Sequence, residues 1–297
     1  MSLLSKWVII ILTSIKLCGL STAETPLFDP SLSARDVGLA KASFTDNNFN
    51  NMLKNPAGMV NTKGISIHAN EFLGIDYSSI LFVNQTLDIT YGFHYIGSSV
   101  NDIPRSVAEG DLLKEVVGYA PYEYHALSFA TAKEINDISF GVGFRYKTLV
   151  LDDTSNQSLE GFAGVGIKLF KDFKLGFSVK NFNIQETPTN ALQTTAPILS
   201  SSFHYNVTKK TKLFLAIIEN KNEIITSSTF HYSIEHYMND YIPLRVGLDH
   251  NRYTFGVGLF IDPFEIDIGW AQSRSPVVND QVTIGFSYGF EEKNHLY

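Results

Sequence analysis

The chain has 297 residues, of which 13% are aromatic and 18% charged, with a mean hydropathy of zero. This composition excludes a disordered protein and a polytopic helical membrane protein. Asp and Glu number 30 against 23 Lys and Arg, which gives a formal charge of −7 without any basic stripe. Nucleic acid is therefore not an expected partner. A single domain of this length is compatible with a large β-barrel or β-sandwich.

Residues 1–23 have the pattern of a secretory signal peptide. Lys6 precedes the apolar run at 7–12, and small residues lead up to Ala23. We expect cleavage after Ala23 and export of the chain. An uncleaved anchor and a lipidated Cys18 are the weaker alternatives. Cleavage leaves a mature chain without cysteine, which excludes disulfides, thiolate catalysis and Cys-ligated zinc.

Apolar and polar residues alternate with period two from residue 64 to residue 290. In the last such stretch Val282, Ile284 and Phe286 share one face, and Thr283 and Gly285 lie between them. This alternation predicts strands, because a helix would repeat every 3.6 residues. We predict fourteen strands, at 64–70, 75–83, 86–97, 121–132, 136–148, 158–170, 173–181, 194–206, 211–219, 224–236, 241–250, 253–261, 264–271 and 280–290.

The connections between these strands alternate in length. Short turns follow the even-numbered strands, at 84–85, 134, 171–172, 209, 239–240 and 262–263. Long loops follow odd-numbered strands, at 98–120, 149–157, 182–193 and 272–279. Short turns on one rim and long loops on the other are typical of outer-membrane barrels. The sequence therefore predicts an all-β fold, a transmembrane 14-stranded antiparallel outer-membrane β-barrel over residues 64–290, followed by a tail at 291–297.

The second face of the predicted strands is rich in glycine, which suits a crowded barrel interior. A soluble β-protein is the alternative, but its second face would normally carry more Lys, Glu and Thr. Inward-facing cations either line an electropositive patch or pair with carboxylates such as Glu265 and Asp267; these cations are Arg145, Lys168, Lys174 and Lys180.

Residues 24–63 lack strand periodicity and are rich in Asn, Asp, Ala and Ser. The string Ser33-Ala34-Arg35-Asp36-Val37-Gly38-Leu39-Ala40, followed by Phe44, Asp46 and Asn55-Pro56-Ala57-Gly58-Met59, resembles the N-terminal signature of the PorV/PorQ family. Its Asn-Pro-Ala-Gly part is also similar to the corresponding segment of the FadL fatty acid transporter superfamily. Both resemblances imply a fourteen-stranded outer-membrane barrel with a short N-terminal plug.

We expect the plug motif to consist of Arg35, Asp46, Asn55, Pro56, Ala57 and Gly58. Proline favours an extended residue before it, and Ala-Gly permits a tight turn where other backbone passes closely. The motif is then either a turn that seats the plug or a hinge that lets it move.

The chain shows no catalytic motif, and we expect no enzyme, no cofactor and no metal site. The histidines are scattered, and the Gly-x-Gly pairs lie within predicted strands, where they reflect alternation. A hydrolase assembled at the barrel rim would leave no local signature.

Two functions remain open. The PorV/PorQ resemblance implies a component of protein secretion or surface attachment that works through its external loops. The FadL resemblance implies a conduit for hydrophobic molecules such as long-chain fatty acids. A general diffusion porin ranks third, because a plug leaves little open lumen. The expected partners are outer-membrane lipid, the barrel assembly machinery, which reads a C-terminal aromatic such as Phe290, and either secretion-system proteins or a hydrophobic ligand.

Overall fold

The computed structural model describes residues 33–72, 75–109, 112–187, 197–221, 226–274 and 280–290. The predicted signal peptide and the predicted C-terminal tail lie outside these residues. All fourteen predicted strands are present: β1 Gly64–Phe72, β2 Ile75–Thr86, β3 Ile89–Glu109, β4 Leu112–Ile135, β5 Ile138–Leu151, β6 Thr154–Phe170, β7 Phe173–Thr187, β8 Ile198–Thr208, β9 Thr211–Lys221, β10 Thr226–Tyr237, β11 Pro243–Leu248, β12 Arg252–Ile261, β13 Phe264–Ser273 and β14 Gln281–Gly289.

The strands form one closed antiparallel barrel in sequence order. The first strand closes it by pairing with the last, from Gly64 opposite Gly289 to Glu71 opposite Val282. Closure satisfies the backbone hydrogen bonds of every strand without leaving a free sheet edge along the wall. The predicted 14-stranded barrel is thus confirmed.

The two faces of the wall differ as the alternation predicts. Along β12, Phe255, Val257 and Leu259 face outward and are 44%, 41% and 39% exposed, whereas Arg252 and Thr254 face inward and are buried. An apolar outer face around a polar, glycine-rich inner face is the reverse of a soluble barrel. It is the arrangement of strands that face lipid.

The strand connections lie at two opposite rims. We call the rim with the connections after even-numbered strands the turn rim, and the opposite rim the hairpin rim. At the turn rim, β2 and β3 are joined at Leu87–Asp88 rather than at the predicted Asn84–Gln85, which extend β2. Leu87 has φ of 56°, so the reversal occurs there. The turns at 171–172 and 262–263 lie where they were predicted.

Two predicted long loops are wrong. Residues 98–120 are largely strand, because β3 and β4 continue to pair with each other up to Glu109 opposite Leu112. Three register shifts interrupt this pairing, which explains why the segment shows no clean alternation. The predicted loop at 149–157 is a two-residue connection between β5 and β6, since their pairing runs to Leu151 opposite Thr154.

Three short helices lie in the N-terminal segment, residues 33–63. They are α1 (Ala34–Gly38) and two 3-10 helices, Phe49–Leu53 and Pro56–Met59. The helices in the described part of the chain are all too short to span a bilayer.

The outward face gives a depth-dependent prediction. Arginine at Val257, in the middle of β12, should destabilise the folded protein in lipid vesicles by about 2–4 kcal/mol, because it places a charge near the bilayer midplane. Arginine at Tyr253, outward on the same strand but near its end, should cost about 0–1 kcal/mol. Urea unfolding of both variants in vesicles measures the difference. Equal costs at the two positions would contradict the assigned lipid face.

Candidate functional site

The described N-terminal segment lies inside the barrel and packs on its inner wall. α1 contacts β11–β14, and the second 3-10 helix contacts β4–β6. We call the part of the wall formed by β9–β14 the anchor side. We call the part formed by β2–β6 the apolar side. The segment thus reaches opposite parts of the wall with different elements.

Local sequence explains why α1 starts where it does. Ser33 caps the helix by accepting a hydrogen bond from the backbone N–H of Asp36, and the Asp36 carboxylate accepts one from the Ser33 backbone. This reciprocal capping satisfies two N–H groups that a helix start otherwise leaves free. The helix is only five residues long, so its position depends on contacts with the wall.

Glycine allows the backbone of α1 to touch the wall. A Cβ on Gly38 would lie 2.9 Å from the Cα of Gly256 on β12, and one on Gly256 would lie 3.0 Å from the Cα of Gly38. Because real Cβ atoms do not approach other atoms so closely, a larger residue at either position would push the helix away. The paired glycines therefore set the depth at which α1 docks.

A buried ion cluster fixes α1 to the anchor side. Arg35 Nε donates to Glu235 Oε2 at 2.9 Å, and Arg35 Nη2 donates to Glu235 Oε1 at 3.0 Å. The same Nη2 donates to Asp46 Oδ2 at 2.6 Å. Arg35 and Asp46 belong to the N-terminal segment and Glu235 belongs to β10. The Arg35 guanidinium therefore links α1 to Asp46 of the same segment and to Glu235 of the wall.

The wall supplies a second arginine to the same carboxylate. Arg245 on β11 donates from Nε to Glu235 Oε2 at 2.8 Å and from Nη1 to Asp267, and it lies 3.8 Å from Glu265. Lys212 Nζ is 3.4 Å from Glu235 Oε1. We call Arg35, Asp46, Lys212, Glu235, Arg245, Glu265 and Asp267 the ion cluster. Its cations and carboxylates alternate in space, which compensates charges that have lost their water.

Burial makes this compensation necessary. The side chains of Glu235 and Arg245 are 0% exposed, and that of Arg35 is 5% exposed. Burial opposes the charge on Arg35, but Asp46 and Glu235 outweigh it and hold the pKa of Arg35 well above its ordinary value. Burial likewise opposes ionisation of Asp46, yet Arg35 holds the pKa of that carboxyl well below its ordinary value. Both groups of the segment are therefore charged at neutral pH.

The segment is also cross-linked internally. Lys54 donates to the Asp36 carboxylate and to the Ser43 backbone oxygen, which joins α1 to the turn between the two 3-10 helices. Burial lowers the pKa of Lys54, while Asp36 opposes the shift. Asn51 adds hydrogen bonds to Asp46, from Nδ2 to the backbone oxygen at 2.7 Å and to Oδ1 at 3.1 Å.

The Asn-Pro-Ala-Gly motif begins the second 3-10 helix. Asn55 Oδ1 accepts from the Ala57 N–H at 3.1 Å, and Asn55 Nδ2 donates to the Val165 backbone oxygen at 3.4 Å. A Cβ on Gly141 of β5 would lie 2.5 Å from both Ala57 N and Pro56 C, so this wall glycine makes room for the motif. The motif is fully buried at the apolar side. Its role as a hinge stays a prediction.

The apolar side also holds a hydrocarbon contact. Residues Phe49, Met52, Leu53, Met59 and Val60 of the segment pack against residues of β2, β4 and β6. The wall partners are Leu81, Val83, Ala130, Ala132 and Phe162. We call these ten residues the apolar contact. Between residues 49 and 60 the sequence has one charged side chain, Lys54, and its ion pair is with Asp36 of the same segment.

A second apolar cluster lies on the same side, closer to the hairpin rim. It consists of Tyr77, Ile96, Tyr122, Tyr124 and Ala126, with Ile75, Val100, Ile103, Leu149 and Leu151 partly buried against it. The Tyr77 and Tyr122 hydroxyls are 3.1 Å apart, and the Tyr77 and Tyr124 rings meet edge to face at 6.2 Å. We call this group the tyrosine cluster. It gives the barrel interior an apolar surface above the N-terminal segment.

The sequence pointed to part of this site. Arg35, Asp46 and the Asn-Pro-Ala-Gly motif were singled out through the family resemblance, and the structure joins Arg35 to Asp46 and buries the motif elsewhere on the wall. Glu235 and Arg245 were missed. Their signal was the alternation itself: outward Leu244 and Val246 place Arg245 inside. Glu265 and Asp267, which the sequence offered as examples of partners for inward cations, both lie beside Arg245.

The ion cluster predicts that loss of Arg35 detaches α1 of the N-terminal segment from the wall. Arg35→Ala leaves Glu235 and Asp46 without their shared partner, and breaking a buried pair costs about 3–5 kcal/mol. The variant should therefore undock α1, so that trypsin cleaves after Lys41 in the folded barrel. Cleavage is followed by mass spectrometry.

Lys210→Ala is the matched control, because Lys210 and Asp240 form an ion pair at 3.9 Å whose side chains are 47% and 48% exposed. Such a surface pair contributes about 0–1 kcal/mol, and its loss should leave the site after Lys41 protected. Equal protection in Arg35→Ala and wild type would show that the ion cluster does not hold the segment.

Comparison with known proteins gives structural neighbours only. No protein-family model and no curated sequence matches the chain. The toluene transporter TodX of Pseudomonas putida is similar with a TM-score of 0.66 at 10% identity, covering 89% of this chain and 100% of that chain. The monoaromatic hydrocarbon channel CymD is similar with a TM-score of 0.60 at 10% identity, covering 89% and 98%.

A FadL homologue of Pseudomonas aeruginosa is similar with a TM-score of 0.57 at 11% identity, covering 88% of this chain and 98% of that chain. At these identities the likeness concerns the fold. The chain therefore shares its barrel fold with these structures, and its function has to be argued from its own interior.

Proposed function

We propose that the protein is an outer-membrane channel for hydrophobic molecules, with the N-terminal segment as its plug. The observation that carries the proposal is a pair of apolar clusters on the β2–β6 side of the barrel interior. The tyrosine cluster lies near the hairpin rim and the apolar contact lies beneath it. Transfer of a hydrophobic molecule from water to either cluster is favourable, because it removes apolar surface from water.

The membrane location rests on three features. The outward face is apolar along the strands, the wall is closed, and the predicted signal peptide would export the chain. Outer-membrane lipid then covers the outward face, and the barrel assembly machinery inserts the chain. We assign the hairpin rim to the external side, because the long β3–β4 hairpin extends there and outer-membrane barrels place their longer connections outside.

A diffusion porin is a poorer explanation. Porins keep a water-filled, polar lumen. Here the described N-terminal segment packs against both sides of the inner wall, and large side chains such as Phe44, Phe49 and Met52 are fully buried between segment and wall. The structural neighbours named for transport of toluene or monoaromatic hydrocarbons agree with a hydrophobic cargo.

A role in secretion or surface attachment is the second candidate. One observation favours it: β3 and β4 continue past their last pairings with β2 and β5, at Gly97 and Tyr122, as a projecting two-stranded ribbon. A ribbon of this kind offers a docking surface for another protein. The PorV/PorQ resemblance gains no support from the comparisons, so we rank this function below the channel.

Uptake of N-phenylnaphthylamine, an uncharged dye that fluoresces in membranes, tests the channel function. Cells that carry the wild-type protein in the outer membrane should take up the dye several times faster than cells without it. Flux of a small sugar should not change, because a polar solute loses hydrogen bonds with water when it enters the apolar clusters. Faster sugar flux with unchanged dye uptake would support a porin and contradict the proposal. Deletion of the ribbon should leave dye uptake intact, and a loss of surface-attached protein instead would favour the second candidate.

A further inference from the structure

We infer that hydrophobic molecules pass between the plug and the β2–β6 wall, through the apolar contact, while α1 stays bound to the anchor side. This inference rests on the proposed channel function and names the route through the same barrel. It follows from a difference between the two sides: the plug makes ion pairs with the anchor side and apolar contacts with the apolar side.

On the anchor side, displacement of the plug would strand charges. Movement of α1 separates Arg35 from Glu235, which is buried within the wall and shared with Arg245 and Lys212. An uncharged hydrophobic molecule has no group that replaces a guanidinium. Passage along this side is therefore opposed by unpaired buried charge.

On the apolar side, a hydrophobic molecule would replace apolar contacts between plug and wall with its own apolar contacts. The two methionines of the apolar contact, Met52 and Met59, are both 0% exposed, and methionine adapts its shape more easily than branched side chains. Lys54 is the one charged residue of the plug between residues 49 and 60. It pairs with Asp36 of the plug itself and not with the wall. Loss of these contacts to an apolar guest thus leaves no charge uncompensated.

One strand of this side, β4, carries a row of small inward residues. The inward face of β4 carries Ala126, Ser128, Ala130 and Ala132 in succession, and Gly92 of β3 lies opposite Ala130. This row runs from the tyrosine cluster, which includes Ala126, to the apolar contact, which includes Ala130 and Ala132. The small side chains give a continuous surface from the external half of the barrel to the plug.

A polar step lies between the two apolar groups, and its charges are engaged by neighbours. Arg145 Nε donates to Ser128 Oγ at 3.3 Å, and Lys147 pairs with Glu160. A molecule on this route therefore passes polar and charged side chains at this level, which also includes the buried His94 opposite Ser128. The route selects uncharged apolar molecules, because a charged guest would compete with these pairs.

Two alanines that face inward on opposite sides provide the test. Ala130 belongs to the apolar contact, whereas Ala216 of β9 packs against Leu39, Ala42 and Phe44 on the anchor side. Ala130→Leu should slow dye uptake by about tenfold, because added methylenes overpack the route. Ala216→Leu adds the same bulk away from the route and should leave uptake unchanged. Both variants are checked for barrel folding by heat-modifiable gel mobility.

A second pair keeps the test decisive if a leucine variant fails to fold. Met52→Ala opens space in the apolar contact and should raise dye uptake several-fold, whereas Leu39→Ala opens space on the anchor side and should not. Equal effects within either pair, or a larger effect of the anchor-side variant, overturn the route. Uptake by wild type no faster than by cells without the protein would instead overturn the proposed channel function itself.

Discussion

A buried carboxylate inside a closed barrel is the constraint on which the arrangement depends. Glu235 has no access to water, and Arg245 is shared between it and the carboxylates of β13. Arg35 of the N-terminal segment completes its surroundings with two hydrogen bonds. The charge of the wall therefore draws the segment into the barrel, and paired glycines let α1 approach closely enough for Arg35 to reach it.

Once α1 is fixed, the rest of the segment must cross the lumen to the opposite wall. There it meets the small and apolar side chains of the apolar contact, and it hydrogen-bonds to the wall through Asn55 at Val165 and through Asn61 at Gln85, Thr90 and Glu134. The segment is thus held by ion pairs on one side and largely by hydrocarbon contact on the other. This asymmetry links the fold to the proposed passage of hydrophobic molecules, because only the second contact yields to an apolar guest.

The period-two alternation was sufficient to predict the number, order and facing of the strands, since each strand buries one face and exposes the other. It failed at residues 98–120, where register shifts break the alternation although pairing continues. The sequence could not predict the ion cluster, for a different reason. Arg35 and Glu235 are 200 residues apart, and their contact depends on strand register and on the depth of α1, which no local pattern encodes. The family resemblance located the residues of the segment but not their partners.

Hydrogen exchange of the folded protein in lipid vesicles tests the central claim most directly. The amides of Leu39 and Gly58 are each hydrogen-bonded within a single short helical turn, to Arg35 and Asn55 respectively. Their intrinsic stability is similar, so a difference in protection reports on how each part is held to the wall. The account predicts slower exchange at Leu39, next to the ion cluster, than at Gly58 on the apolar side. Equal protection, or slower exchange at Gly58, would contradict it.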